Sequence, residues 1–191
     1  MTGFSIKSRE AVHIVVSWLT ISFAFAYVGD AFNFQFANLG TMLFAVGTAF
    51  ILHELAHKYV AITYGAYAEY RAWALGLVLA VGMALLNFGI VFAAPGAVYV
   101  YGPHLTRKQN AYVSLAGPLT NFLLGWVFVL AAGAFSSSLS TLMLRVAYVN
   151  FFLGAFNMLP VPPLDGSKVF SYNPGMGLGM LLLIVASMFM L

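Results

Sequence analysis

The 191-residue sequence has no cysteine and very few charged residues. Without cysteine, the chain forms no disulfide, offers no thiolate to a metal and has no cysteine nucleophile. Only 7% of its residues are charged, whereas a typical soluble domain has about 25%. Because 62% of the residues are hydrophobic, polar groups cannot cover the surface, and we expect the lipid bilayer to be the solvent. The chain also lacks the runs of Lys and Arg that mark a nucleic-acid partner, so we expect no such partner.

Long apolar segments predict several membrane crossings. The segment 11–28 is long enough to cross a bilayer, so we interpret it as an uncleaved span rather than as a signal peptide. The other predicted spans cover residues 41–62, 111–135, 141–159 and about 175–191. The apolar tract 73–100 differs from these, because β-branched and aromatic residues lie on both sides of a Pro-Gly pair, as in a hairpin.

The tract 73–100 is predicted to enter the membrane and to return to the same side. Non-helical backbone survives at membrane depth only when it is buried in protein or lines a wet cavity. We therefore expect an all-α polytopic membrane protein with about five or six transmembrane helices and a re-entrant β-hairpin. No linker separates a second domain, so residues 1–191 are predicted to form a single membrane-embedded domain, with its core at about 40–170.

The distribution of basic residues predicts the orientation of these spans. Lys7 and Arg9 precede the first span, whereas the segment 29–40 that follows it has no Lys or Arg. Since basic residues accumulate in cytoplasmic loops, the N-terminus is predicted to be cytoplasmic. With a re-entrant tract at 73–100, Lys168 also falls on the cytoplasmic side.

The second predicted span contains the motif H-E-x-x-H, formed by His53, Glu54 and His57. Histidines four residues apart project from one face of a helix, as two ligands of one zinc ion require. Glu54 then lies beside the metal and can take a proton from water. The alternative is an interfacial helix end at which Glu54 pairs with Lys58 at i,i+4. Ionisable groups are expensive to bury in a bilayer, and the motif follows a dozen apolar residues, so we favour the metal site.

A catalytic zinc site usually has three protein ligands, and only five acidic residues are available to complete this one. Glu54 is assigned as the base, Glu10 and Asp30 flank the first span, and Glu69 lies beside a basic residue in a predicted loop. Asp165 therefore remains as the predicted third ligand of one Zn²⁺ per chain. The other two histidines, His13 and His104, are interpreted as structural or interfacial.

The surroundings of Asp165 support this choice. Prolines at 160, 162 and 163 end the preceding helix, and Gly166 is predicted to form a sharp turn. The spans 41–62 and 141–159 run in the same direction in the predicted topology, so their C-terminal ends bring the histidines and Asp165 together. The alternative is that Asp165 is an interfacial turn residue, since Asp-Gly is a common turn pair.

With HELAH in a membrane helix, "SLAGPLTNF" at 114–122 and "FNMLPVPPLDG" about a hundred residues after HELAH, the sequence resembles the site-2 protease family of intramembrane zinc metalloproteases. The resemblance covers about residues 40–170 and implies that His53, His57 and Asp165 are ligands and Glu54 the catalytic base. The stretch 89–102 resembles the re-entrant hairpin beside the active site of that family. The sequence departs from the family pattern after the Asp-Gly pair, where Ser and Lys replace the frequent Gly and Arg.

Two asparagines are further candidates. The resemblance implies that Asn121 lines the site and helps to hold the substrate or the oxyanion. From the residues alone, Asn121 could equally bond a neighbouring helix, as amides in membrane helices often do. Asn157, in the Pro-rich motif, is a further candidate for the same role.

The function that the resemblance implies is an intramembrane zinc metalloendopeptidase. It would cleave transmembrane segments of single-span membrane proteins in a prokaryotic plasma membrane, with its active site nearer the cytoplasmic face. The alternatives are a non-catalytic scaffold that binds membrane helices and a zinc-binding transporter. A transporter needs polar residues along several helices, and a scaffold has no need of a buried Glu54.

Overall fold

The computed structural model describes residues 3–28, 36–86, 95–101 and 105–191. A π-helical turn, Gly47–Ile51, joins the second helix to the third without a break. The α-helices of the described residues are α1 (Ser8–Val28), α2 (Phe36–Val46), α3 (Leu52–Thr63), α4 (Ala74–Leu85), α5 (Arg107–Ala132), α6 (Ser137–Asn157), α7 (Asp165–Tyr172) and α8 (Pro174–Met188).

Four helical segments of the described chain are long and apolar enough to cross a membrane: Ser8–Tyr27, Leu39–Thr63, Arg107–Ala132 and Ser137–Asn157. The helices α4 and α8 are apolar but have only 12 and 15 residues, fewer than the roughly 20 that a straight crossing needs. The expected mostly helical multi-pass membrane protein is confirmed, with four full-length spans where the sequence predicted about five or six.

The outer faces of these helices are apolar. On α5, Leu123, Val127 and Leu130 leave 54%, 57% and 74% of their surface exposed. A contiguous apolar stripe of this kind on a water-soluble protein would promote aggregation, whereas in a bilayer it contacts lipid. The stripe therefore marks the lipid-facing side of α5.

Within the described residues, a two-stranded antiparallel sheet lies beside the helices. Strand β1, Tyr67–Ala72, pairs with strand β2, Gly96–Tyr101, in a register that sets Tyr67 opposite Tyr101 and Ala72 opposite Gly96. The predicted turn at Pro-Gly is wrong, because Gly96 begins β2, which pairs with β1. Residues 89–94 of the predicted hairpin lie outside the described residues.

The loop predicted around Glu69 is also a strand, since Glu69 and Arg71 belong to β1. The Glu69 side chain is buried, and its Oε2 accepts a hydrogen bond from Arg71 Nη2 at 3.0 Å. The whole of α4 separates β1 from β2 in the chain, so local sequence patterns do not reveal that the two strands pair.

Within the described residues, the two largest centres of the core share α6. One joins α1, the π-helical turn, β1 and α6 through residues such as Ile21, Phe50 and Val146. The other joins α6, α7 and α8 around Phe151 and Val169. Because α6 contributes to both centres, it holds the first half of the chain against α7, the helix that begins with Asp165.

Candidate active site

Helix α3 presents its two histidines to the carboxylate of α7. His53 Nε2 lies 3.2 Å and His57 Nε2 lies 3.0 Å from Asp165 Oδ2. Both histidines are buried, and one ligand atom from each of the three residues lies within 4.8 Å of the others. The structure therefore brings together the three side chains that the sequence predicted to meet, although Asp165 follows His53 by 112 residues.

A stripe of α5 fixes the orientation of the two imidazole rings. The stripe consists of Val113, Gly117 and Asn121, which are four residues apart and so share one face of the helix. His57 Nδ1 donates to the Val113 carbonyl at 2.6 Å, and His53 Nδ1 faces Asn121 Oδ1 at 3.1 Å. The Asn121 amide also donates through Nδ2 to the Asn150 carbonyl, which leaves Oδ1 as the acceptor for His53.

Gly117, between these two contacts, allows the helix backbone to approach the rings. A Cβ atom at this position would lie 2.5 Å from both His53 Nε2 and His57 Nε2. A side chain cannot fit there without displacing the imidazoles. Gly117 and the Val113 carbonyl were not predicted, although the spacing of four residues from Asn121 to Gly117 and from Gly117 to Val113 was a signal that could have found them.

The hydrogen bonds at Nδ1 determine what the Nε2 atoms can do. A carbonyl or amide oxygen only accepts hydrogen bonds, so each Nδ1 carries the proton of its ring. In a neutral ring, Nε2 then has an unprotonated lone pair. Both lone pairs face the carboxylate of Asp165, itself an acceptor. Acceptor atoms at 3.0 and 3.2 Å need a cation between them, either a proton or a metal ion.

The donor set fits a zinc ion. Two imidazole nitrogens and one carboxylate oxygen are ligands that catalytic zinc sites use, with a fourth position left open. Tetrahedral ligands at about 2.0–2.1 Å from zinc lie about 3.3 Å from one another. The two distances to Asp165 Oδ2 are close to this spacing, and the hydrogen bonds at Nδ1 are those that orient metal-binding histidines. The His53, His57 and Asp165 cluster could therefore hold a metal ion.

Glu54 lies next to the ligand cluster and lines the same cavity. Its side chain is buried, and within the described residues its Oε2 has no hydrogen-bond partner. The predicted alternative, in which Glu54 pairs with Lys58, is wrong because Lys58 Nζ pairs instead with Glu10 Oε2. Glu54 is thus left available to accept a proton from a molecule in the cavity.

Asp165 begins α7, after the Pro-rich segment that ends α6. Gly166 is helical rather than part of a sharp turn, and a Cβ there would lie 2.2 Å from the Met158 carbonyl oxygen. Burial acts to raise the pKa of the Asp165 carboxyl, but when protons bridge the Nε2 atoms and Asp165 Oδ2, the charged rings of His57 and His53 outweigh burial and lower that pKa. The carboxylate is therefore ionised at neutral pH, as a metal ligand must be.

The cavity has a volume of about 540 Å³ and extends from the ligand cluster to β2. Residues 95–100 form one wall, and Asn157 and Lys168 lie on another. Asn157 donates through Nδ2 to the Leu153 carbonyl at 3.0 Å. The cavity is large enough for several residues of an extended peptide, and its strand-lined wall lies beside the histidines.

Asn121 is fully buried in the interior and holds His53, as described above. The substrate or oxyanion role predicted for Asn121 and Asn157 stays a prediction. Of the remaining histidines, His13 accepts a hydrogen bond from the Ala72 N–H at 3.1 Å, which confirms its structural role. His104 and Asp30 lie outside the described residues.

The chain is similar to several known proteins. The model of peptidase family M50 matches residues 131–176. "Putative zinc metalloprotease MJ0611" of Methanocaldococcus jannaschii is 44% identical over 176 residues, which are 91% of this chain and 90% of that protein. "Putative zinc metalloprotease YwhC" of Bacillus subtilis is 31% identical over 162 residues, 72% of each chain. The solved structure "Site-2 Protease from Methanocaldococcus jannaschii" aligns over 93% of this chain and 85% of that chain, with a TM-score of 0.49 and 16% identity.

Proposed function

The chain belongs to peptidase family M50, the site-2 protease family of membrane zinc metalloproteases, and we propose that it cleaves peptide bonds within the transmembrane segments of single-span membrane proteins. The observation that carries this proposal is that Asp165 meets His53 and His57 beside Glu54, in a site whose motif H-E-x-x-H belongs to a membrane-spanning helical segment. A hydrolytic centre at this depth reaches peptide bonds that lie within a bilayer.

In this proposal His53 Nε2, His57 Nε2 and the Asp165 carboxylate would hold one Zn²⁺ per chain. When bound, zinc supplies a Lewis acid that polarises a carbonyl and makes water acidic near neutral pH. The hydrogen bonds of Val113 and Asn121 keep both Nε2 lone pairs directed towards Asp165, where the ion would bind. Asn121 accordingly acts as a positioning residue for His53.

Glu54 acts as the general base and then as the general acid. Its partner-free Oε2 accepts the proton of the attacking water, and the same carboxyl group delivers that proton to the leaving amine. Because Lys58 is paired with Glu10, it does not compete for the Glu54 carboxylate. Replacing Glu54 by Gln removes the base while keeping the shape of the side chain.

A substrate helix must unwind before water can attack, since its amides are held in i→i−4 hydrogen bonds. The outer edge of β2 can receive the unwound segment by strand addition. The N–H groups of Tyr70 and Ala72 point away from β2, towards α1. In the antiparallel register their partners, Val98 and Gly96, likewise point their polar groups away from β1. Both residues line the cavity, so an added strand would lie along it.

The experiment is cleavage of a tagged single-span substrate, combined with the zinc content of the purified protein. We expect about one zinc per chain in wild type and in Glu54→Gln, with cleavage only in wild type. His53→Ala and Asp165→Ala should lose both zinc and cleavage. The matched control is Glu69→Gln, which neutralises a buried carboxylate of β1 outside the ligand cluster and should keep both.

The outcomes separate the competing functions. Turnover by Glu54→Gln equal to that of wild type would contradict the assigned base. Zinc in wild type with no cleavage of any single-span substrate would favour the scaffold. Retention of zinc in Asp165→Ala would mean that another residue is the third ligand.

We further propose that the protein is in a prokaryotic cell membrane with its active site nearer the cytoplasm. The relatives reported above come from an archaeon and a bacterium. Lys58 Nζ donates to the Ser5 carbonyl at 2.6 Å, so the N-terminal segment and the end of α3 lie on the same side. Because the chain has no cysteine, single-cysteine variants test this topology. In intact cells, Ser5→Cys should not be labelled by a membrane-impermeant maleimide, whereas Ser138→Cys should be labelled. The reverse labelling pattern would show that the topology is the opposite of the proposed one.

A further inference from the structure

Helix α1 has a polar stripe that faces the sheet. The stripe consists of Glu10, His13 and Ser17, whose spacing of three and four residues places them on one face of the helix. Glu10 and Ser17 have no exposed surface. Buried polar groups in a membrane helix are expensive unless they are hydrogen-bonded, so the stripe needs an explanation.

Each member of the stripe contacts β1. The Tyr70 N–H donates to Glu10 Oε1 at 3.0 Å, and the Ala72 N–H donates to His13 Nδ1 at 3.1 Å. The Tyr70 hydroxyl donates to Ser17 Oγ at 2.9 Å. Because Tyr70 and Ala72 are alternate residues, their N–H groups are those of the edge opposite β2. The stripe takes the place of a third strand and closes this edge.

Glu10 also ties the sheet to the helix that holds the histidines. Its second oxygen, Oε2, pairs with Lys58 Nζ, and Lys58 directly follows His57 on α3. The exposed fractions of Lys58 and Glu10 are 2% and 0%. A single buried carboxylate therefore bridges the backbone of β1 and the side chain next to a ligand.

We propose that Glu10 and His13 are positioning residues that set the register in which a substrate strand meets Glu54. Glu10 and Lys58 fix the sheet relative to α3, and, in the part of the chain that the structure describes, the closed edge of β1 leaves the edge of β2 for an added strand. A shift of the sheet along α3 would present a different peptide bond to the base. The inference rests on the proposed proteolytic function, and it assigns α1 to substrate alignment rather than to membrane anchoring alone.

The test compares cleavage products of wild type, the double variant Glu10→Gln/Lys58→Met and the single variant His13→Leu. The double variant removes both buried charges together, so neither is left unpaired. With a single-span substrate, we expect wild type to cut at one main bond. Both variants should keep zinc but cut at neighbouring bonds as well, with kcat/KM at least tenfold lower through a higher KM. The matched control is the double variant Glu69→Gln/Arg71→Gln, which removes both charges of an ion pair confined to β1 and should leave the cut site unchanged.

Hydrogen exchange gives a second readout that needs no activity. Amide exchange in residues 67–72 should accelerate at least tenfold in His13→Leu, which loses the acceptor of the Ala72 N–H, and stay at the wild-type rate in Glu69→Gln/Arg71→Gln. An unchanged cut site with a loss confined to kcat, or unchanged exchange at residues 67–72, overturns the proposal. If Glu10→Gln/Lys58→Met does not fold, His13→Leu alone decides. Failure of the proposed function is distinguishable, because wild type then cleaves no substrate while the exchange result still tests the closed edge.

Discussion

Replacing Asn121 by Leu removes the acceptor that orients His53 while nearly preserving the volume of a fully buried side chain. His53 Nδ1 loses its contact at 3.1 Å, and the Asn150 carbonyl loses its donor at 3.3 Å. Loss of a group that orients a metal-binding histidine typically weakens metal affinity by about 10- to 100-fold. This factor corresponds to about 1.4–2.8 kcal/mol of binding free energy. The unsatisfied Asn150 carbonyl should also lower the free energy of unfolding by about 1–3 kcal/mol.

The assay is competition for zinc between a chromophoric chelator and each detergent-purified protein. The temperature is kept below the thermal transitions of the wild type and the variants. The matched control is Thr120→Val, one residue earlier, because the Thr120 hydroxyl donates only to the Ala116 carbonyl of its own helix. We expect the control to bind zinc as wild type does. Wild-type zinc affinity in a folded Asn121→Leu protein would refute the role given to this amide.

Three further predictions concern Gly117, the ion pair of Lys58 with Glu10, and the metal. Gly117→Ala should abolish zinc binding, because the new Cβ would lie 2.5 Å from both Nε2 atoms; metal analysis of the folded variant checks this, and a full zinc complement contradicts it. Lys58→Met alone should lower the free energy of unfolding by about 3–5 kcal/mol, because it leaves the Glu10 carboxylate buried and unpaired. Glu10→Gln/Lys58→Met should recover most of that loss, and thermal unfolding of the two variants shows whether it does. Removal of the metal by a chelator should stop cleavage and added zinc should restore it, so that cleavage surviving in metal-free protein would exclude the proposed chemistry.

Several parts of the site could be predicted, above all those whose residues lie close together in the sequence. His53, Glu54 and His57 lie within one helical motif. Asp165 could be predicted because few acidic residues compete with it and because charge distribution set the direction of two spans. The four long spans were also predictable, since apolar runs of about 20 residues have few other uses.

The parts that could not be predicted depend on contacts between distant segments. β1 is a six-residue strand with a buried, charged Glu69, and its pairing with β2 reaches across α4. The partner of Lys58 is Glu10, 48 positions earlier, whereas helix spacing suggested Glu54. The amide of Asn121 was noticed as a candidate, but its contact with His53 requires the packing of α5 against α3. In each case tertiary contacts determine what the local pattern leaves open.

The π-helical turn at Gly47–Ile51 changes the phase of the helix that carries the ligands. A π-helical turn holds about one residue more than an α-helical turn, so it rotates everything after it by roughly 100° relative to a continuous α-helix. The face of α2 that packs in the core through Ala45 and Val46 therefore need not coincide with the face of α3 that carries His53 and His57. Deleting one residue of the turn would restore ordinary α-helical phase and swing both imidazoles away from α5. A single-residue insertion thus distinguishes a helix that only packs from a helix that both packs and presents ligands. The mutational distance between an inert membrane protein and a hydrolase is therefore short.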